Sequence, residues 1–213
     1  PVASWLFKER GIRTHWVLTN RFWAFHHLTP LLTKQKFTSK VTLVPHEIHW
    51  GCGGQPYKFN PADYGVHGRY YNLGFKCFPN RYISDFYAME YDLGYDVDYR
   101  FNLGPNTGSE EVLRSREVLM KILVPSATPL PPREDLLALA RRMAAAKEVH
   151  AWFGGMAILC WFANQKLTCY YSGDRLGKSL RELYIPQSDM VNWVDAKETF
   201  NWSDDRLQLT DPE

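Results

Sequence analysis

The longest regular pattern of apolar positions lies between Asp135 and Lys166. Its first half, Asp135–Glu148, is built from Leu, Ala, Arg, Met and Lys, residues that lose little freedom in a helix. Its second half, Val149–Ala163, is a run of 15 residues with one basic side chain, His150, and no acidic one. No Pro separates the halves, so the pattern predicts one long helix over 133–167. Such a helix would be about 50 Å long at 1.5 Å per residue, more than a compact domain of this size needs. A membrane span takes about 20 residues. Ala144–Ala146 with a snorkelling Lys147, and Leu167 at the far end, extend the run into that range, which predicts a single span over 147–167. Trp152 and Trp161 sit near the two ends as an interfacial belt would, with Lys147 and Lys166 as membrane-interface anchors. Gly154, Gly155 and Ala157 form a small face for close helix packing. A buried helix in a soluble α+β domain is the competing expectation, and an in-plane or re-entrant segment is a third. The lack of a polar face favours the span.

Elsewhere the patterning is weaker. Residues 1–108 are basic and aromatic-rich, with turn residues every few positions and no sustained period. Short antiparallel strands are predicted at Lys40–Val44 and at Tyr95–Phe101, where apolar and polar residues alternate. Residues 109–124 predict an amphipathic helix, with Thr107-Gly-Ser-Glu110 as a capping box. Residues 125–132 hold four Pro and read as a stiff linker. Residues 168–213 read as an acidic tail with short helices at about 176–184 and from Ser188 through Trp193. The fold class expected is therefore mainly α with extended or irregular segments, one long helix carrying a single transmembrane span, and small antiparallel strands in the N-terminal half.

Composition sets limits on this picture. The chain has 213 residues, 45% hydrophobic and 23% charged, which excludes wholesale disorder. Net charge is +2, but it is unevenly spread. Residues 1–81 hold 11 Lys/Arg against 3 Asp/Glu, and residues 82–113 hold 1 against 7. The basic head could face an acidic partner, RNA or anionic lipid, or pair with the acidic stretch of its own chain. Four Cys (Cys52, Cys77, Cys160, Cys169) are too few for a disulfide scaffold, and their spacing matches no CxxC zinc pattern. Reduced thiols are expected, with Cys52–Cys77 as the pair an oxidising space could join. The chain starts at Pro1 without Met, which suggests a processed form. Its first 25 residues carry Lys8, Arg10, Arg13 and Arg21 against Glu9, as in an organellar import context.

Few motifs carry chemistry. His46, His49 and Cys52 are the metal candidates, because imidazole and thiolate are zinc ligands and His26, His27, His67 or Cys77 could complete a set. The spacing is HExH rather than HExxH, and the flanking Pro45 and glycines oppose a helix, so no metal site is assigned. Ser172-Gly-Asp-Arg-Leu-Gly-Lys-Ser179 follows a strand-like Leu167–Tyr171 and approximates a phosphate loop, though Ser172 replaces the first Gly and Asp174 opposes an anion. Glu110-Glu111 and the Asp92/Asp96/Asp98 group could be catalytic carboxylates or a cation site, but acidic loops are mostly solvated or ion-paired, and no EF-hand spacing is present. No G-x-S-x-G elbow is found. No catalytic residue and no cofactor is assigned.

A basic aromatic head, a Pro-rich linker, one long helix with a span and an acidic tail together resemble the single-span supernumerary subunits of mitochondrial inner-membrane complexes. Pro186-Gln-Ser-Asp-Met-Val-Asn-Trp193 is similar to a stretch following the span in a small accessory subunit of respiratory complex I; here it lies over twenty residues past the predicted span. The resemblance implies a non-catalytic structural or assembly subunit of a respiratory-chain or ATP synthase complex, single-pass in the mitochondrial inner membrane. Its partners would be the other subunits and anionic lipids, with neither a nucleic acid nor a small-molecule substrate. The alternatives are an RNA-contacting protein of the mitochondrial ribosome, and an enzyme or metal-binding domain using His46, His49 and Cys52.

Overall fold

A computed structural model describes residues 1–19, 23–44, 60–65, 68–69, 71, 83–131, 135–171, 184–185 and 188–196. The chain divides into two compact units, Pro1–Asn102 and Leu103–Glu213.

The first unit opens with helix α1 (Val2–Arg10), ended by Gly11 in the left-handed conformation at φ 64°. The Gly11 N–H closes the helix by donating to Phe7 O, a stop that suits a residue without Cβ. Strand β1 (Thr14–Thr19), helix α2 (Trp23–Thr33) and strand β2 (Thr38–Val44) follow. The two strands pair in parallel, with a register shift between Thr14 and His15. Parallel pairing needs a crossover; α2 provides it and packs on β2. A 3-10 turn (Pro61–Tyr64) and helix α3 (Ile83–Glu90) come next, and α3 packs on α1. The strand expected at Lys40–Val44 exists, but its partner is parallel, and Tyr95–Phe101 forms turns and irregular chain.

The second unit is an α/β fold. Strand β3 (Val112–Arg114), helix α4 (Val118–Leu123), strand β4 (Thr128–Pro129), helix α5 (Leu136–Ala145), strand β5 (Glu148–Trp152), helix α6 (Gly155–Phe162), strand β6 (Leu167–Tyr171) and strand β7 (Val191–Asp195) follow in order. The strands form one parallel sheet in the order β4-β3-β5-β6-β7. Numbered from its own first strand, that order is 2-1-3-4-5, the flavodoxin-like doubly wound arrangement. Val149, Ala151, Leu167 and Cys169 are buried, whereas Glu148, His150, Thr168 and Tyr170 are half-buried. Period-two burial of this kind separates the two faces of a sheet. The Cys160 thiol of α6 lies close enough to Cys169 to be influenced by it, which places α6 over the buried face. Cys160 and Cys169 are both buried, and burial pushes the Cys160 thiol up to about 12, so it stays a neutral core residue.

Five sequence expectations fail here. The mainly α fold gives way to a five-stranded parallel sheet with short helices. The 133–167 helix is interrupted by β5, and among the described residues no helix is long and apolar enough to cross a membrane. The physical reason lies in Val149–Ala163, where a buried strand, a two-residue turn at Phe153-Gly154 and a core helix follow without a polar break. A buried strand and a buried helix segment look alike in hydropathy. The 109–124 helix divides into β3 and α4, and the Pro-rich linker contains β4, an edge strand on which Pro129 is tolerated. The helix expected from Ser188 is instead β7: Ser188 Oγ accepts from the Met190 N–H in the turn that leads into it.

Candidate functional site

In open parallel sheets the ligand crevice lies beyond the carboxyl ends of the strands, where the strand order reverses. The reversal here falls between β3 and β5, because the chain leaves β3 toward β4 on one side and returns through α5 to β5 on the other. Two hydrogen bonds hold the strand ends together. Ser115, fully buried after β3, donates its N–H to His150 O at 2.9 Å, and its Oγ accepts from the Trp152 N–H at 3.0 Å. Arg114, 8% exposed, donates Nε to Ala127 O at 3.2 Å and Nη1 to Ser115 O at 3.4 Å. Its charge is thus met by carbonyls, and no carboxylate among the described residues forms an ion pair with it.

Beyond β5 the chain turns at Phe153-Gly154 and enters α6, whose N-cap, Gly154, makes no side-chain cap, and none is made among the described residues. The first N–H groups of a helix have no intrahelical acceptor and carry partial positive charge, a ready anion site. A Cβ placed on Gly155 would meet nothing within 4 Å, so a bound group can approach this backbone closely. Tyr171 and Trp193 lie on the α6 side of the sheet by strand parity, since Cys169 registers with Trp193 and Tyr171 with Asp195, and Phe153 of the turn after β5 meets Trp193 there. Their rings cluster at this edge: Phe153 to Trp193 at 5.8 Å, Tyr171 to Trp193 at 6.2 Å and Phe153 to Tyr184 at 6.4 Å between centroids. Burial raises the Tyr184 phenol. One edge of the sheet therefore offers uncapped backbone donors beside half-buried aromatic rings.

On the opposite face, His150 joins two partners. Its Nε2 lies 3.1 Å from Glu148 Oε1 and its Nδ1 lies 3.2 Å from the Tyr170 hydroxyl. Thr168 Oγ1 also donates to Glu148 Oε1 at 3.4 Å. Burial lowers the His150 pKa, and the Glu148 charge opposes that without overcoming it. Burial and the same carboxylate raise Tyr170. A neutral imidazole here can donate to Glu148 and accept from Tyr170, an arrangement able to hold or pass a proton.

The residues singled out from sequence are distributed differently. His46, His49 and Cys52, with His67 and Cys77, lie outside the described residues, as does the 172–179 loop. His26 and His27 are on α2, and among the described residues no group of three or more His, Cys, Asp or Glu could hold a metal. The carboxylates Glu110 and Glu111 are ion-paired, to Lys147 at 2.9 Å and to Arg142 at 2.5 Å. Asp96 of the acidic group binds Lys8 at 2.5 Å, so the basic head does meet the acidic stretch within one chain at this point. Lys147, expected to snorkel, is committed to Glu110. Trp152 is in β5, Trp161 is 4% exposed within α6, and Lys166 precedes β6. A Cβ on Gly155 would meet nothing within 4 Å among the described residues, Gly154 is the N-cap of α6, and Ala157 alone of the three is fully buried. The pair Gly154-Gly155 was visible in the sequence, but its role as a helix entry depended on recognising β5. Ser115 and the Glu148–His150–Tyr170 group had no sequence signal, because their partners are set by strand register.

Comparison with protein-family models, curated proteins and solved structures finds no match for this chain.

Proposed function

We propose that the second unit binds a small phosphate-bearing molecule with a planar ring, a nucleotide-class ligand, at the carboxyl edge of its parallel sheet. The observation that carries this reading is the reversal of strand order between β3 and β5, beside which the uncapped α6 N-terminus opens. Phosphate would lie on the Gly155 and Met156 backbone donors, where the helix field favours negative charge. The ring would lie against Phe153 and Trp193, on the same side of the sheet as α6. Fold-level analogy supplies only the position of the crevice; the ligand chemistry follows from the donors and rings.

The reading as a structural subunit of a mitochondrial inner-membrane complex rested on the 147–167 span. That segment is a strand, a turn, a helix and the start of β6, so the subunit reading loses the observation that motivated it.

Titration with ADP, UDP and inorganic pyrophosphate, followed by amide NMR, tests the proposal. The amides of Gly154, Gly155 and Met156 should shift with all three, and the indole of Trp193 with the nucleotides alone. Gly155→Val should leave stability within about 0.5 kcal/mol, because the added side chain starts in open space. It should weaken binding at least about tenfold by obstructing the backbone. Absence of shifts at 154–156, or undiminished binding by Gly155→Val, would refute the site.

A further inference from the structure

The first unit gathers cations at one end of its two-stranded sheet. Because β1 and β2 run parallel, the loop that enters β1 and the turn that enters β2 lie at the same end. They touch there: the Thr14 N–H donates to Phe37 O at 2.6 Å, and Arg13 Nη2 donates to Thr38 O at 2.7 Å. The turn itself is closed by the Thr38 N–H donating to Gln35 O at 3.0 Å. Gln35 and Phe37 are buried, whereas Lys36 is exposed and Lys34 half-buried, so the turn is held from within and leaves its lysines in water. Lys40 follows, exposed and opposite His15 in the register.

Arg10 and Arg13, both exposed, bring the cations at this end to five. The carboxylates beside them are Glu9 on α1 and Asp98, which lines a cavity with Lys36. Lys8 is not counted, because Asp96 holds it at 2.5 Å. Arg10, Arg13, Lys34, Lys36 and Lys40 form no ion pair among the described residues. An excess of like charge on one face selects an anionic partner.

Ile12 decides which kind. It stands between Arg10 and Arg13 at the tip of a stretch, Lys8–Arg13, that is exposed throughout, and is itself 47% exposed. An apolar side chain ringed by cations fits the boundary of an anionic bilayer, where headgroups meet the charges and the apolar group enters beneath them. A single-stranded nucleic acid would instead call for open ring faces on which bases stack. The rings at this end are engaged: Phe37 is 6% exposed and packs against Trp16, Trp16 donates Nε1 to Thr38 Oγ1, and Arg10 covers Trp5 at 5.0 Å.

We propose that this end of the first unit docks on the surface of an anionic lipid bilayer, with Ile12 among the headgroups and the five cations around it. The docking surface belongs to the first unit alone and does not rest on the nucleotide-class site of the second.

Vesicle co-sedimentation of the full chain tests it, with phosphatidylcholine alone and with about 30 mol% phosphatidylserine added. An oligouridylate serves as the competing anion. The chain should bind the mixed vesicles and not the neutral ones, and binding should fall as NaCl rises from about 50 to 300 mM. The double variant Lys36→Glu/Lys40→Glu, at exposed positions, should weaken binding to mixed vesicles at least about tenfold. Ile12→Ser should weaken it about threefold or more and leave any binding of the oligouridylate unchanged. Lys121→Glu, an exposed change on α4, should have no effect. Failure to bind the mixed vesicles would overturn the proposal, as would equal binding to neutral ones. So would parent-like binding by the double variant. Tighter binding of the oligouridylate than of the vesicles, with Ile12→Ser silent in both, would make the face a nucleic-acid surface instead.

Discussion

His150 shows how one residue is set by two opposing effects, of which burial is the larger. Its Glu148 partner at 3.1 Å favours the imidazolium, yet burial disfavours it more and the pKa falls below the ordinary value. The unfolded chain therefore takes up a proton near pH 6.5 while the folded chain still resists. Stability contributed here should be complete above about pH 6.5, decline as pH falls through the window between the unfolded and folded values, and level off below the folded value. Urea midpoints measured against pH, for the parent and for His150→Asn, check this: the variant should lose that part of the slope. Direct NMR titration of the ring should give a midpoint below the ordinary one. A midpoint above it would mean that Glu148 dominates.

At the scale of elements, α1 is seated by the absence of a side chain opposite it. A Cβ on Gly94 would come within 2.4 Å of the Trp5 ring, and Arg10 lies over that ring at 5.0 Å. Gly94→Ala must displace the indole, at a cost of about 1–3 kcal/mol, the range for overpacking. Thermal denaturation together with a shift in tryptophan emission would record it. Nothing in the local sequence around Gly94 announces this contact, which arises between residues 89 positions apart. Other elements were partly legible. The strands at Lys40–Val44 and Leu167–Tyr171 could be read from their β-branched and aromatic content, and the helix formers in 135–148 include α5, although the helix expected there was to run on to 167. What could not be read was the boundary inside Val149–Ala163. There the hydrophobic period changes from 2 to 3.6 with no polar residue to mark it, and only Gly154-Gly155 signals the turn. The candidate site inherits that difficulty, since a helix N-terminus is invisible until the preceding strand is recognised.

At the scale of the molecule, the two units each have their own hydrogen-bonded frame and buried residues. Leu31, Leu32 and Phe37 are buried in the first, and Leu113, Met120, Val149 and Leu167 in the second. The stretch Gly104–Glu110 is exposed throughout and carries no regular secondary structure. Limited digestion with subtilisin should therefore cut first within 104–110 among the described residues, where chain is accessible without opening a sheet or helix. Mass spectrometry of early products would check it; first cuts inside β5 or α6 would contradict the sheet itself. The edge strand β4 has a further consequence. Pro129 lacks an N–H, and β4 is two residues long, so this flank of the sheet offers a poor template for a strand from another chain. A sheet rich in Val, Leu, Trp and Tyr is otherwise good material for fibrous assembly, and on its β4 side this one is protected against runaway polymerisation by a single imino acid.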